Sequence, residues 1–432
     1  MSATEPVRVV ILGGGFAGVH AAIELERAIP RDARVEITIV NRDNFVLFTP
    51  MLHEVAASDL DVTHIVNPIR RMVRRAALFV GEVEDIDLAR RQVMVRHARG
   101  GHEHALPYDH LVLALGSITN FFGLPGLEDR ALTMKSLGDA IALRNRLIEV
   151  LEEADFECAA AQRTDLLTIL VAGGGFAGVE TIAAVNDFLR AAVGAYPRLS
   201  ADMLRLVLVH SGETILPELH PKLGHYAARV LSHRGVELRL AARVTDVSDG
   251  GVALSDGTLI PARTIVWTAG TAPSPLVAEL PCAREGGRVV ADQCLRVPEW
   301  PGVWALGDCA RVPDGKGGFH PPTAQHALRQ GKVLGRNIAA VMRGEEPKRF
   351  VFSTLGQLAA IGRRTGVASL MGASFSGFLA WWMWRTIYLS KLPGLDRKIR
   401  VALDWTLDLL LEKDLVQFRT ERSGQPHPEA VG

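Results

Sequence analysis

Two short stretches carry the residue types and spacing that could do chemistry. Gly13-Gly14-Gly15-Phe16-Ala17-Gly18 follows the β-branched run Arg8–Leu12. At an offset of 160 residues, Gly173-Gly174-Gly175-Phe176-Ala177-Gly178 follows Thr168–Ala172. Each opens into a helical pattern, Val19–Leu25 and Val179–Ala183. A strand, GxGxxG and a helix together aim backbone N–H groups and a helix N-terminus at a pyrophosphate. Gly13 and Gly173 would make the tight turn, and Gly15 and Gly175 the close approach to phosphate. Gly18 and Gly178 would let helix and strand pack. Two such units in one chain predict two dinucleotide sites.

The ribose ends are less regular. The strand after the first loop ends in Asn41-Arg42, and the strand after the second in His210-Ser211-Gly212. An acid that holds ribose hydroxyls is expected at both places. Asn41 can still donate and accept, without charge. His210 does not repel a 2′-phosphate and would attract it when protonated. The second site is therefore expected to take NADPH beside NADH, with NADPH relatively better at lower pH. Asp308 closes the strand pattern Trp304–Asp308, either as a ligand or as a turn former. Pro321-Pro322-Thr323 opens a helix through Met342, with proline suited to a first turn. Its N-terminal dipole could face an electron-rich ring.

No Ser/His/Asp or Cys/His constellation is present. Cys158, Cys282, Cys294 and Cys309 are widely spaced and read as reduced thiols, with no metal site. His53, His64, His225 and His233 read as surface or satisfied polar histidines.

The elements that must position the loops follow from patterning. Gly81–His97 alternates as a hairpin, and Leu111–Gly116 reads as a buried strand of the first sheet. Val252–Trp267 reads as a hairpin turning at Asp256-Gly257. Length and composition agree: 432 residues, 48% apolar and 22% charged, suit two or three globular domains. Lys+Arg 48 balances Asp+Glu 48, so no basic field gathers nucleic acid. The N-terminus lacks the pattern of a secretory signal, and its apolar run reads as a strand.

Taken together, these residues resemble the type II NADH:quinone oxidoreductases, the non-proton-pumping NADH dehydrogenases. The resemblance runs from Val7 to about Phe418. Its landmarks are both GGGFAG loops, Asn44–Ala56 (NFVLFTPMLHEVA), Leu113–Gly126 (LALGSITNFFGLPG) and Lys135–Asn145 (KSLGDAIALRN). Trp267–Gly270 (WTAG), Ala305–Ala310 (ALGDCA) and Pro321–Gly331 (PPTAQHALRQG) complete them. The resemblance implies FAD in the first unit and NAD(P)H in the second. It assigns Gly13, Gly15, Phe16, Ala17, Gly18, Asn41, Arg42, Thr49, Gly116 and Asp308 to FAD. Gly173, Gly175, Phe176, Gly178, Glu180, His210 and Gly270 would line the nucleotide site. Glu180 would be a carboxylate close to nicotinamide and flavin, with a solvated helix residue as the bland alternative. Ala324 and Gln325 match a pair beside the flavin and the quinone head. Arg329 stands where the family usually has Gln.

The C-terminal region raises a membrane question. Thr365–Trp384 is uncharged for twenty residues, long enough to span a bilayer. Its Gly, Ser and Thr content argues instead for two short strands over Leu355–Met371, around Gly362-Arg363-Arg364. An aromatic helix then follows over Phe375–Leu389. Asp396–Glu412 reads as an amphipathic helix with Arg400, Asp404, Asp408 and Glu412 as its polar stripe. Ile399, Leu403, Leu407, Leu410 and Leu411 make its apolar face. Such a helix suits a membrane interface, and a core or homodimer helix is the alternative. Nearby Trp381, Trp382 and Trp384, with Arg385, Lys391, Arg397 and Lys398, favour the interface.

The expected fold is α/β: two Rossmann-type domains and a small C-terminal membrane-docking domain. The FAD domain would comprise residues 7–120 and 293–345, the NAD(P)H domain 121–292, and the docking domain 346–432. The expected activity is FAD-dependent oxidation of NADH or NADPH by a membrane quinone, from the cytoplasmic face. A soluble reductase of a protein acceptor and a non-catalytic redox-sensing protein remain as rivals.

Overall fold

A computed structural model describes residues 5–97 and 101–418. Two five-stranded parallel sheets dominate it. The first runs Val303–Ala305, His110–Leu113, Val7–Leu12, Val35–Asn41, Ala77–Val80 in space. The second runs Ala131–Thr133, Thr264–Trp267, Thr168–Ala172, Arg205–Val209, Val236–Arg239. Each has its glycine-loop strand at the centre. Strands covered on both faces have no polar side to alternate with, and Thr168–Ala172 is buried at every residue.

The same rule corrects one hairpin. Gly251–Leu254 and Leu259–Ile260 do pair across Asp256-Gly257. Thr264–Trp267 does not continue that hairpin: it is wholly buried and pairs parallel with Thr168–Ala172. Glu82–Asp87 and Gln92–Arg96 form the other expected hairpin, and Glu103–Pro107 adds a third strand.

The strand Val303–Ala305 returns to the first sheet beside His110–Leu113. The helix after it, Ala324–Met342, lies against the first-loop helix Phe16–Ala28. Gly331 and Gly335 permit this approach. A Cβ on them would come within 2.3 Å of the Ala17 carbonyl oxygen and 2.5 Å of that of Ala21. Pro321 and Pro322 precede this helix instead of occupying its first turn, and Thr323 caps it.

The C-terminal part is a three-stranded antiparallel sheet, Gly356–Ala360, Gly366–Leu370 and Ala373–Gly377. The third strand takes the start of the aromatic helix expected from Phe375. Gly377, at φ 75°, ends the strand, and the helix runs Phe378–Lys391. A last helix, Leu395–Leu407, stops short of Glu412. Leaving the helix, Asp408 meets Lys413, which also binds Asp59. Among the described residues, no helix is long and apolar enough to cross a membrane.

The last helix buries only part of its apolar surface. Asp404 of its polar stripe faces inward, to His64 and the Asp61 N–H. Val401 and Trp405 are buried, whereas Leu395, Ile399, Leu403 and Leu407 are each at least half exposed. Phe378, Leu379 and Trp382 of the preceding helix are exposed in the same way.

Candidate active site

The two glycine loops have matching geometry. Gly13 and Gly173 take φ 109° and 119°, a region open to glycine. A Cβ on Gly18 would lie 2.0 Å from the Gly13 carbonyl oxygen, and one on Gly178 1.8 Å from that of Gly173. These glycines set helix against turn. The middle glycine differs: a Cβ on Gly15 would meet nothing within 4 Å, and one on Gly175 only Glu218 Oε1 at 3.7 Å. Both middle glycines cap their helices without a side-chain partner. Free N–H groups of a helix start therefore face open space twice, which fits a dinucleotide diphosphate at each loop.

Around the first loop, Asn41 Oδ1 accepts the Gly14 N–H at 2.8 Å. Arg42 is exposed and lies 3.6 Å from Glu82. Thr49 is the exposed first residue of a one-turn helix whose Met51 is buried, and Gly116 takes φ 66° with open space around it. Asp308 accepts a hydrogen bond from Ser117 Oγ at 3.0 Å, and Ser117 also receives Lys135 Nζ. The Asp308 turn is held by Gln330, which accepts the Gly307 N–H at 2.8 Å. Asp308 thus sits in a polar row of the first domain rather than acting only as a turn former. Around the second loop, His210 occupies the place that Asn41 holds in the first. Gly270, at φ 77°, is backed by Phe122, whose ring a Cβ there would meet at 2.5 Å.

Glu180 is not a solvated helix residue. It is buried on the second-loop helix Phe176–Ala192. Its Oε1 accepts the Trp384 indole N–H at 2.9 Å and the Ala360 N–H at 3.1 Å. Burial raises its pKa to about 8, against these two donors. The carboxyl is therefore largely protonated at neutral pH.

His53, expected to be a surface or satisfied residue, is neither. It is buried, with Nδ1 3.9 Å from Glu180 Oε2 and Nε2 without a hydrogen-bond partner. Burial alone lowers its pKa to about 3, so it is neutral. His64 is mostly buried and paired with Asp404, while His225 and His233 are exposed. Glu54, which sequence reasoning also missed, is buried beside His53 and accepts the Trp405 indole N–H. The available signal was a His-Glu pair inside the apolar stretch Met51–Ala57. Both helices flanking this segment, Leu137–Phe156 and Phe176–Ala192, pack on it.

Gln325 Nε2 donates to the Gly356 carbonyl at 2.8 Å, tying the helix Ala324–Met342 to the C-terminal sheet. Gln325 Oε1 is buried and unpartnered. Arg329 donates to the Gln325 carbonyl and lies over the Phe352 ring at 4.1 Å. Ala324, the first residue of that helix, is half-buried.

Comparison with known proteins gives the family and the fold. The pyridine nucleotide-disulphide oxidoreductase family matches residues 7–331, and the NDH2 C-terminal domain matches residues 355–414. The type II NADH:quinone oxidoreductase Ndh of Mycobacterium tuberculosis is 34% identical, over 93% of this chain and 88% of that protein. The type II NADH:quinone oxidoreductase of Staphylococcus aureus is 27% identical, over 89% of this chain and 95% of that one. In fold, the structure of NDH2 from Plasmodium falciparum in complex with NADH superposes with a TM-score of 0.88 at 18% identity. That match covers 95% of this chain and all of the other. The chain belongs to the type II NADH:quinone oxidoreductases.

Proposed function

We propose that the protein is an FAD-dependent NADH:quinone oxidoreductase working peripherally on the cytoplasmic face of a membrane. Its reaction is oxidation of NADH with a quinone as acceptor. When bound, FAD supplies the two-electron carrier between the two substrates. The chain supplies binding, orientation and proton control. Gly13, Gly15 and Gly18, with Phe16 and Ala17, hold the FAD diphosphate in this reading, and Asp308 accepts from its sugar-alcohol hydroxyls. Asn41, Arg42, Thr49 and Gly116 border that site. Gly173, Gly175, Phe176, Gly178, His210 and Gly270 border the nicotinamide nucleotide. Gln325 and Ala324 border the quinone end. In this reading residues 7–120 with 293–345 make the FAD unit, 121–292 the nucleotide unit and 346–432 the docking unit, of which 98–100 and 419–432 lie outside the described residues.

The observation that carries this reading is the setting of Glu180. One carboxyl on the second-loop helix is buried by the first domain's His53 and gripped by the C-terminal Trp384 and Ala360. A protonated acid at this meeting point suits a reaction that delivers protons to a quinone. Membrane docking is supported by the apolar face of the last two helices, which otherwise stands in water. The test is purified protein with its flavin spectrum, assayed anaerobically. NADH should bleach the flavin and a short-chain quinone should restore its colour. A protein that binds no FAD on reconstitution, or whose reduced flavin ignores quinones, refutes the reading.

A further inference from the structure

In each parallel sheet the glycine-loop strand has two neighbours. One of them, Val35–Asn41 or Arg205–Val209, leads to the ribose-side residue, Asn41 or His210. A dinucleotide lies across the carboxyl ends of the strands, with its adenosine ribose on that side. Its other half therefore extends past the opposite neighbour, toward the sheet edge. The edge strands there are Val303–Ala305 in the first sheet and Ala131–Thr133 in the second. Where the carboxyl ends of these two strands approach each other, the reactive rings of two dinucleotides can meet.

Three side chains join these ends. Asp308 follows Val303–Ala305, and Lys135 follows Ala131–Thr133. Lys135 Nζ donates to Ser117 Oγ at 3.2 Å, and Ser117 Oγ donates to Asp308 Oδ2 at 3.0 Å. Ser117 opens the strand Ser117–Thr119, which pairs antiparallel with Thr271–Pro273, just past Gly270. Lys135 thus reaches from one parallel sheet to the other across this ribbon.

The lysine backbone is fixed, but its ammonium is only partly engaged. Asp139 Oδ2 accepts the N–H groups of Lys135 and Ser136 at 2.7 and 3.0 Å, and the Thr133 hydroxyl at 2.8 Å. This carboxylate belongs to the capping box of the helix Leu137–Phe156. Among the described residues, Ser117 is the one hydrogen-bond partner of the ammonium, which forms no salt bridge. An ammonium has three donors, so two remain for a ligand. Solvent reaches the side chain. The protein around it still removes enough water to lower its pKa, with Asp308 and then Asp139 opposing. Arg42, at the adenosine side of the first loop, is instead paired with Glu82.

We propose that Lys135 is the cationic residue of the flavin site, placed beside the ring to stabilise the negative charge that reduction brings. The proposal rests on the FAD-dependent reading above. A hydride from NADH carries two electrons and one proton, and NAD⁺ leaves. Its arrival adds one negative charge at the accepting ring, until a second proton follows or the electrons pass to the quinone. A cation already held in place stabilises charge that develops next to it without reorganising, and does so more strongly where water is scarce. Asp308 cannot take this part, because an ionised carboxylate only accepts. Ser117 sets the ammonium next to that acid and keeps it from folding back into solvent.

The test is the midpoint potential of the bound flavin, read from its spectrum in equilibrium with redox dyes, with neither NADH nor quinone present. Lys135→Met should make the reduced form about tenfold less favoured, which is a potential more negative by about 30 mV for a two-electron couple. Lys135→Arg keeps the charge and should stay closer to wild type than to Lys135→Met. If Lys135→Met holds FAD weakly, the ratio of its dissociation constants for reduced and oxidised FAD reports the same quantity, and should rise about tenfold. An unchanged potential or ratio in Lys135→Met overturns the proposal. So do equal shifts in Lys135→Met and Lys135→Arg, because charge is then not the cause. Weaker binding of both redox forms by one common factor also overturns it, and marks Lys135 as a bridge between the two units only. A wild-type protein that takes up no FAD would instead refute the function on which the proposal rests.

Discussion

The Gly174 N–H donates to His210 Nδ1 at 3.1 Å. The first domain has the same contact, from the Gly14 N–H to Asn41 Oδ1 at 2.8 Å. In both units a residue at the end of the second strand, Asn41 as its last and His210 just after it, pins the glycine loop. For histidine this has a chemical consequence. Nδ1 must be unprotonated to accept, so the ring proton sits on Nε2. Burial further lowers the His210 pKa below its usual 6.5, with Glu218 and the Thr214 backbone opposing. The expectation that NADPH improves as His210 protonates is therefore moved to lower pH. The ratio of kcat/KM for NADPH and NADH should stay flat from about pH 7 to 8 and rise only below the ordinary histidine range. His210→Glu keeps an acceptor for Gly174 but adds charge. It should cut kcat/KM for NADPH by about tenfold, equivalent to ~1.4 kcal/mol of repulsion. Equal nucleotide ratios in wild type and variant would remove His210 from the ribose site.

Glu180 should make stability fall as pH rises. Its folded pKa is about 8, against 4.5 for an ordinary glutamate. A raised carboxyl favours the folded state fully below the ordinary value, and that contribution is lost as pH climbs through the folded value. The window is thus about pH 4.5–8. Thermal unfolding of wild type and Glu180→Gln across this range should show a shallower decline in the variant. Parallel curves would mean that Glu180 is charged in the folded protein at neutral pH.

Trp384→Phe deletes one donor and keeps most of the ring. Glu180 Oε1 would retain only the Ala360 N–H. Leaving a buried acceptor short of a partner costs about 1–3 kcal/mol, measurable by denaturant unfolding. The Glu180 carboxyl should also titrate at still higher pH, because the indole hydrogen bond now lowers it. An unchanged infrared titration would show that the indole does not tune this acid.

The two inner loop glycines should separate folding from binding. Gly175→Ala meets no atom nearer than 3.7 Å. It should fold normally and weaken NADH binding, since the new methyl occupies the phosphate approach. Gly178→Ala places a methyl 1.8 Å from the Gly173 carbonyl oxygen. It should destabilise the domain itself. Calorimetry and NADH titration of both variants check this, and a reversal of the two effects would exchange the roles assigned here.

Membrane docking can be tested on the exposed face of the last helix. Replacing Ile399, Leu403 and Leu407 by Ser should abolish sedimentation with anionic vesicles and leave the flavin spectrum intact. In wild type, high salt should weaken binding only in part, because screening removes attraction between charges but not apolar burial. If the wild type is instead a salt-independent dimer that ignores vesicles and the triple variant is a monomer, a second copy covers this face.

The two glycine turns and the helix starts behind them were legible in sequence because their cause is local. A turn that only glycine can make, and a helix start that must stay uncapped, are written in six consecutive residues. The apolar strands before the loops were legible for the same reason. Thr264–Trp267 was not, because an apolar tetrapeptide near a turn signal suits a hairpin or a buried parallel strand equally. Only its pairing with Thr168–Ala172 decided between them. Glu180 was visible as a position, two residues past a glycine, but its protonation was not. That depends on tertiary burial, which raises the pKa against the hydrogen bond from Trp384, 204 residues away. The last helix shows the limit most directly. Its amphipathic period was evident from Ile399, Leu403 and Leu407, yet periodicity does not say which side faces the protein. Tertiary contacts decided it: Asp404 found His64, Trp405 found Glu54, and the leucines were left outside.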